Sequence, residues 1–424
     1  MTNLRRTAAI LALAACGGAE PEGGGPRITR SMAGDTAVIR TESGSVWGAP
    51  ARLVPEVSIG EMEGDLEYLF GSVRSIAVAA DGTIYVVDGQ VPDLRAFSAD
   101  GRFLRTLGRP GEGPGELKSP DGGLVILSDG RILVRDPGNA RIQVYAPSGD
   151  ALETWSIRGG FNTSNALFQD RDDNVYTQIL VDPQAEVRDW VIGLVRIGPD
   201  GTPGDTLVPP TSGFEAPELE SRRVEKGETV GVSRNGVPFA ASEQETLHPG
   251  GYWIHGVSTE YRFALKRPGD PLIIERVARR VPVTAGEKSE DEFRVTRNMR
   301  QNQPDWRWNG PPVPSEKPAF LRFYAGRDGR IWVQIPQPGV EGEDLNYDPR
   351  NPDAVPNRWT EPVAFDVFQE DGTYLGEVTA PEGFSAYPTP IFDGDTVWAV
   401  TRDELGVQRV VRYHIRREGQ TTEG

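Results

Sequence analysis

A chain of 424 residues has room for two or three ordinary domains, or for one large closed repeat. With 50 Gly, 35 Pro, 9 Trp and 11 Tyr and few long apolar helical stripes, it reads as many short strands joined by tight turns. The net charge of −17, which loss of a leader bearing Arg5 and Arg6 would take to −19, repels phosphate backbones and anionic headgroups, so no nucleic-acid partner is expected.

Residues 1–16 read MTNLRRTAAILALAAC, a basic start followed by an apolar run far too short to span a bilayer. Leu13-Ala14-Ala15-Cys16 resembles the bacterial lipobox, and Cys16 is the sole cysteine of the chain. That resemblance implies an exported lipoprotein: signal peptide 1–15, a lipidated Cys16 and a flexible tether to residue 34, a propeller over 35–416, and a disordered tail at 417–424. Membrane contact is then through the lipid alone. Gly17 stands where an Asp would signal inner-membrane retention, which favours the outer membrane.

The next feature in chain order is a duplication. Gly60/Gly108, Gly82/Gly130, Asp88/Asp136, Phe97/Tyr145 and Gly101/Gly149 are each 48 residues apart. Within the first copy, Ile76–Val78, Ile84–Val87, Leu94–Phe97 and Phe103–Leu107 read as four short strands. Asp81-Gly82 and Asp100-Gly101 read as turns between them. Four antiparallel strands of this length make one propeller blade. The start of a second strand recurs at Ile84-Tyr85, Ile132-Leu133, Val175-Tyr176, Tyr252-Trp253, Ile331-Trp332 and Val397-Trp398, hence six blades. Insertions fall near 209–235, 284–316 and 336–360, and Glu287–Arg300 is a helix between blades four and five. The last unit, from about Ser385 to Tyr413, offers only three strands, and Leu53–Ile59 is expected to close the ring as the fourth. The inner strands are placed at Ile76–Val78, Leu124–Ile126, Ala166–Phe168, Phe239–Ala241, Phe320–Arg322 and near Pro390-Ile391, apolar and nearly free of carboxylates.

Asp81–Asp88 (DGTIYVVD), Asn139–Tyr145 (NARIQVY) and Gly108–Leu117 (GRPGEGPGEL) resemble the NHL repeat and its inter-blade loop. The match is specific across roughly 71–155, and the whole resembles six-bladed propeller lipoproteins of bacteria. NHL propellers that bind RNA use a basic face, which this chain lacks. NHL-type amidating lyases surround zinc with several histidines, and only His248, His255 and His414 are present here. Lactonase-like propellers hold calcium in the channel. No carboxylate cluster announces one here, so no cofactor is expected and calcium stays open.

Gly111-x-Gly113-x-Gly115 leads into a strand, not a helix, which fits an inter-blade loop and not a phosphate cradle. No Gly-x-Ser-x-Gly nucleophile motif occurs. The loops joining strand two to three, and strand four to the next blade, share one face. Arg74, Asp88, Glu112, Asp121, Asp136 and Asn139 should point there. Asp88 and Asp136 also suit a scaffolding role, accepting backbone N–H bonds at strand ends. Trp306 and Trp308 are either a recognition surface or pins for the helical insert. The expectation is an envelope-anchored binding module, more a binder than an enzyme, recognising a small ligand or envelope protein over the channel mouth. A metal-dependent hydrolase or lyase, or a scaffold of an envelope complex, are the alternatives.

Overall fold

The computed structural model describes residues 25–156, 166–182, 184–185, 190–344, 347–348, 350–351 and 354–417. Every strand-starting pair named above begins, or lies at the start of, the second strand of a sheet. Blade one is Val73–Val78, Ile84–Asp88, Asp93–Phe97 and Phe103–Leu107. Blade two is Leu124–Ile126, Ile132–Asp136, Arg141–Tyr145 and Ala151–Trp155. Phe168–Gln169, Val175–Leu180, Ile192–Ile197 and Pro203–Leu207 form blade three. Glu243–His248, Tyr252–Val257, Arg262–Leu265 and Leu272–Arg276 form blade four. Blade five is Arg322–Ala325, Ile331–Ile335, Ala364–Phe368 and Tyr374–Thr379. Blade six has a split inner strand, Phe384–Ser385 and Ile391–Asp393, followed by Thr396–Arg402 and Gln408–Arg417. The protein is a six-bladed β-propeller.

The strands are apolar on both faces because each blade is sandwiched between two others. Tyr85 and Val87 pack with Leu124, Ile132 and Val134 of blade two. Ile84 and Val86, which alternate with them, pack with Val400 and Val410 of blade six. The period-2 alternation of a strand thus serves two interfaces at once.

Three N-terminal strands bind the ring from outside: β1 (Arg27–Ala33), β2 (Thr36–Ser43) and β3 (Ala51–Ile59). The β1–β2 hairpin extends blade four, with β2 parallel to Leu272–Arg276. The Trp47 N–H then donates to the Leu375 carbonyl of blade five at 2.9 Å. β3 pairs with Gln408–Arg417 as the outer strand of blade six, and its start also touches Val378 of blade five. The closing strand therefore lies where its sequence position indicates. Residues 27–33, read from sequence as tether, are instead strand β1.

All three long insertions lie on the face that carries the strand-two-to-three and strand-four-to-one connections, here the loop face. They run from Leu207 to Glu243, from Arg276 to Arg322, and from Ile335 to Ala364. The first holds the hairpin Glu218–Glu225 and Glu228–Gly236, and the second holds helix α1 (Ala285–Asn302). A reciprocal capping box between Thr284 and Glu287 starts that helix. The two insertions share a small core of Leu219, Val237, Val295, Met299, Trp306 and Val313. The opposite face is closed by tight turns, such as those at Gly82 and Gly130, each with φ of 85°. Arg327 seals that side, donating to the Val78 carbonyl of blade one at 2.8 Å.

Three inner strands differ from the sequence expectation, and that of blade three begins at Phe168 and not at Ala166. Phe239 and Ala240 pack against the insertion core, and the inner strand of blade four begins at Glu243. In blade five it begins at Arg322 and not at Phe320. The inner wall is therefore not free of carboxylates: Glu243 and Glu245 lie on it, and a strand that is only half-buried over its first four residues needs no apolar run.

Candidate functional site

The face singled out from sequence is built chiefly by two homologous corners, on blades one and two. In blade two, Asp136 is buried and accepts N–H bonds from Lys118 (3.1 Å) and Ser119 (2.8 Å). Asn139 Nδ2 joins it at 2.7 Å and also reaches the Gly111 carbonyl at 2.9 Å. Arg141 donates to the carbonyls of Glu112, Gly113 and Glu116. The glycine-rich loop is thus held flat by side chains from its own blade. It is an inter-blade connection.

In blade one, Asp88 repeats the carboxylate role, accepting from Gly71, Ser72 and Gln90, each at 3.0 Å. The 48-residue offset places Val91 where blade two has Asn139, and Asp93 where it has Arg141. Neither can donate to the loop. Arg95, two positions further along, takes over with bonds to the Glu67 and Leu69 carbonyls at 3.3 and 2.8 Å. It lies beneath the loop, against Phe70, with Asp88 at 3.6 Å and Asp93 at 3.2 Å.

A cavity of about 510 Å³ opens above this corner. Leu66, Leu69, Phe70, Val91 and Phe103 form its apolar wall, and Asp93 and Arg95 its polar floor. Leu66 is 79% exposed and Val91 44% exposed, so the rim presents apolar surface to water. Burial holds the Asp93 carboxyl above its ordinary range, with Arg95 opposing. Arg95 Nε, 3.2 Å from Oδ1 and 3.4 Å from Oδ2, is the one side-chain partner of Asp93 among the described residues.

The residues named from sequence fall into distinct environments. Asp88, Asp136 and Asn139 are committed to loop backbone, as described. Asp121 pairs with the buried Arg135, whose guanidinium burial pushes down to about 10. Glu112 is exposed and pairs with Lys118 at 2.6 Å. Arg74 is exposed on the inner strand of blade one and has no hydrogen-bond or ion-pair partner among the described residues. Trp306 is 1% exposed, its Nε1 donating to the Glu220 carbonyl at 2.8 Å. Trp308 is half-buried and donates to Pro311. Both tryptophans serve the insertion core, because two loops with little apolar surface of their own need large side chains to fix them. Cys16 lies outside the described residues.

The histidines do not converge. His248 is buried on the turn side, with Nδ1 accepting from Gly250 and Nε2 at 3.0 Å from the Gly329 carbonyl. His255 pairs with Glu243 at 2.7 Å, and His414 stands on the third strand of blade six. Among the described residues no group of three or more His, Cys, Asp or Glu is placed to hold a metal ion. Nor is any described helix long and apolar enough to cross a membrane.

A family model described as a six-bladed beta-propeller, DUF5128, matches residues 61–176. That stretch contains the whole of both corners. No protein of curated function matches the sequence significantly. Among solved structures, a DUF4221 family member from Bacteroides vulgatus is similar at 11% identity and a TM-score of 0.49, covering 87% of this chain and 99% of that one. A gluconolactonase from Xanthomonas campestris gives 14% identity and 0.39, over 87% of this chain and 95% of that one. Virginiamycin B lyase from Staphylococcus aureus gives 11% and 0.36, over 85% of this chain and 99% of that one.

Proposed function

We propose that this propeller is a ligand-binding module of the cell envelope, held there through Cys16, and that it reads its ligand on the loop face. One observation carries this: the three long insertions and the open cavity all lie on that face, while tight turns close the other. A ring that only needed to be stable would have no use for that asymmetry, since insertions cost ordering entropy. Binding sites concentrate on loops held by a rigid scaffold. The unpaired Arg74 on the inner wall adds a second polar feature near the channel.

The test is a thermal-shift screen of the purified protein against amines, carboxylates, sugars and short peptides, followed by hydrogen exchange with the best hit. Protection should fall on 60–72, 89–93 and 108–122, or on the insertions. Protection confined to the turn face, or a chemically altered ligand by mass spectrometry, overturns the reading. For the anchor, Cys16→Ser should move the native protein from the membrane to the soluble fraction. A variant that stays with the membrane removes the lipid from this account.

A further inference from the structure

We infer that the blade-one cavity is a binding site for organic cations, specifically a protonated amine carried on an apolar body. The inference rests on the loop-face reading and specifies the chemistry of one place on it.

The cavity lies where the sequence of this blade departs from that of blade two. In blade two the equivalent positions hold Asn139 and Arg141, which reach into the loop and bond its carbonyls. In blade one those positions hold Val91 and Asp93, one apolar and one acceptor-only. The two changes together open the space and line it. A volume of about 510 Å³ suits a small molecule, and its mostly apolar wall with few polar groups is the usual composition of such a site.

The charge of the floor selects the ligand. Asp88, Asp93 and Glu67 contribute three carboxylates to the lining against the single guanidinium of Arg95. Arg95 is already engaged by two carbonyls and two carboxylates, leaving little with which to grip an anion. Asp88 is engaged by three backbone N–H groups. Asp93 has Arg95 Nε as its one side-chain partner among the described residues, 3.2 Å from Oδ1 and 3.4 Å from Oδ2, so it is the lining carboxylate with acceptor capacity to spare. A ligand ammonium would add a second cationic donor to that carboxylate, while its hydrocarbon body would cover Leu66, Val91 and the aromatic walls of Phe70 and Phe103. The strongly negative chain raises the local concentration of cations around the mouth.

The experiment titrates purified protein with 4-phenylbutylamine, the neutral 4-phenylbutanol and the anionic 4-phenylbutyrate by calorimetry at pH 7. The amine should bind at least about tenfold more tightly than the other two, the gap expected for a charge-assisted bond. Asp93→Asn, nearly isosteric, should abolish that preference while leaving the circular dichroism unchanged. Val91→Asn combined with Asp93→Arg installs the blade-two residues and should remove binding of all three probes. Val91→Asn alone should weaken all three, and serves where the double variant does not fold. Equal affinity for amine and alcohol, a preference for the anion, no amine binding at all, or unchanged binding in the Val91 and Asp93 variants each overturns the inference. Should the amine fail while another ligand protects the insertions or the 108–122 loop in hydrogen exchange, the cavity assignment falls and the loop-face reading stands.

Discussion

Blades one and two are copies 48 residues apart that solve one problem in two ways. Both must hold an incoming connection against the end of a sheet, and both use a buried aspartate to collect its backbone N–H groups. Blade two then ties the loop down with Asn139 and Arg141. Blade one gives up both donors, recovers part of the loss through Arg95, and is left with a cavity. Both copies keep the carboxylate, whereas the donor positions differ between them.

The largest effect should come from the shared carboxylates. Asp88→Ala strips three N–H groups of their acceptor and leaves Arg95 buried with a single acidic neighbour. It should cost about 3–5 kcal/mol by urea denaturation. Asp136→Ala, with no buried arginine at the same spot, should cost less; equal losses would break the idea that Arg95 leans on Asp88. Next comes Arg141→Ala, which removes the donor to three loop carbonyls. About 1–3 kcal/mol should be lost, with faster hydrogen exchange in 108–118 that leaves blade one unaffected.

Asp93→Asn acts in the other direction. The Asp93 carboxyl is raised in the folded state, so the native protein holds that proton more tightly than the unfolded chain, whose value is about 3.9. Stability from this group is therefore lost as pH rises from the unfolded value through the folded one. The Asn variant should melt at a slightly higher temperature at pH 7, and the advantage should vanish when both melts are repeated below pH 4. A variant less stable at neutral pH would mean that the Arg95–Asp93 pair outweighs the burial cost of the carboxylate. Smallest of all, Glu112→Gln on the exposed Lys118 pair should leave the melting temperature unchanged.

Much of the ring was legible because its signals are local. The recurring glycine turns and the β-branched or bulky pair at the start of each second strand fix six blades. The strand missing from the last unit points to β3. What stayed hidden is non-local or polar. The β1–β2 hairpin pairs with a strand some 230 residues away and is mostly exposed, so it carries no apolar alternation. The inner strand Glu243–His248 reads as a loop in sequence because it borders the channel and not a core. The insertion tryptophans read equally as pins for the insert or as a surface, because nothing in the sequence tells that two separate loops meet. The cavity was within reach: aligning Val91 with Asn139 and Asp93 with Arg141 exposes the two missing donors. Matching Arg95 to Arg141 by residue type conceals them.

The N-terminal hairpin also decides how the molecule would answer a pull. Arg27 lies opposite Ser43, so tension applied at residue 25 opens the β1–β2 ladder one rung at a time, and only then reaches the β2 seam on blade four. β3, gripped along blade six and touching blade five, is loaded last. The 17 residues of 27–43 can pay out on the order of 50 Å of slack before the closing strand feels any force, a shock absorber in series with the ring.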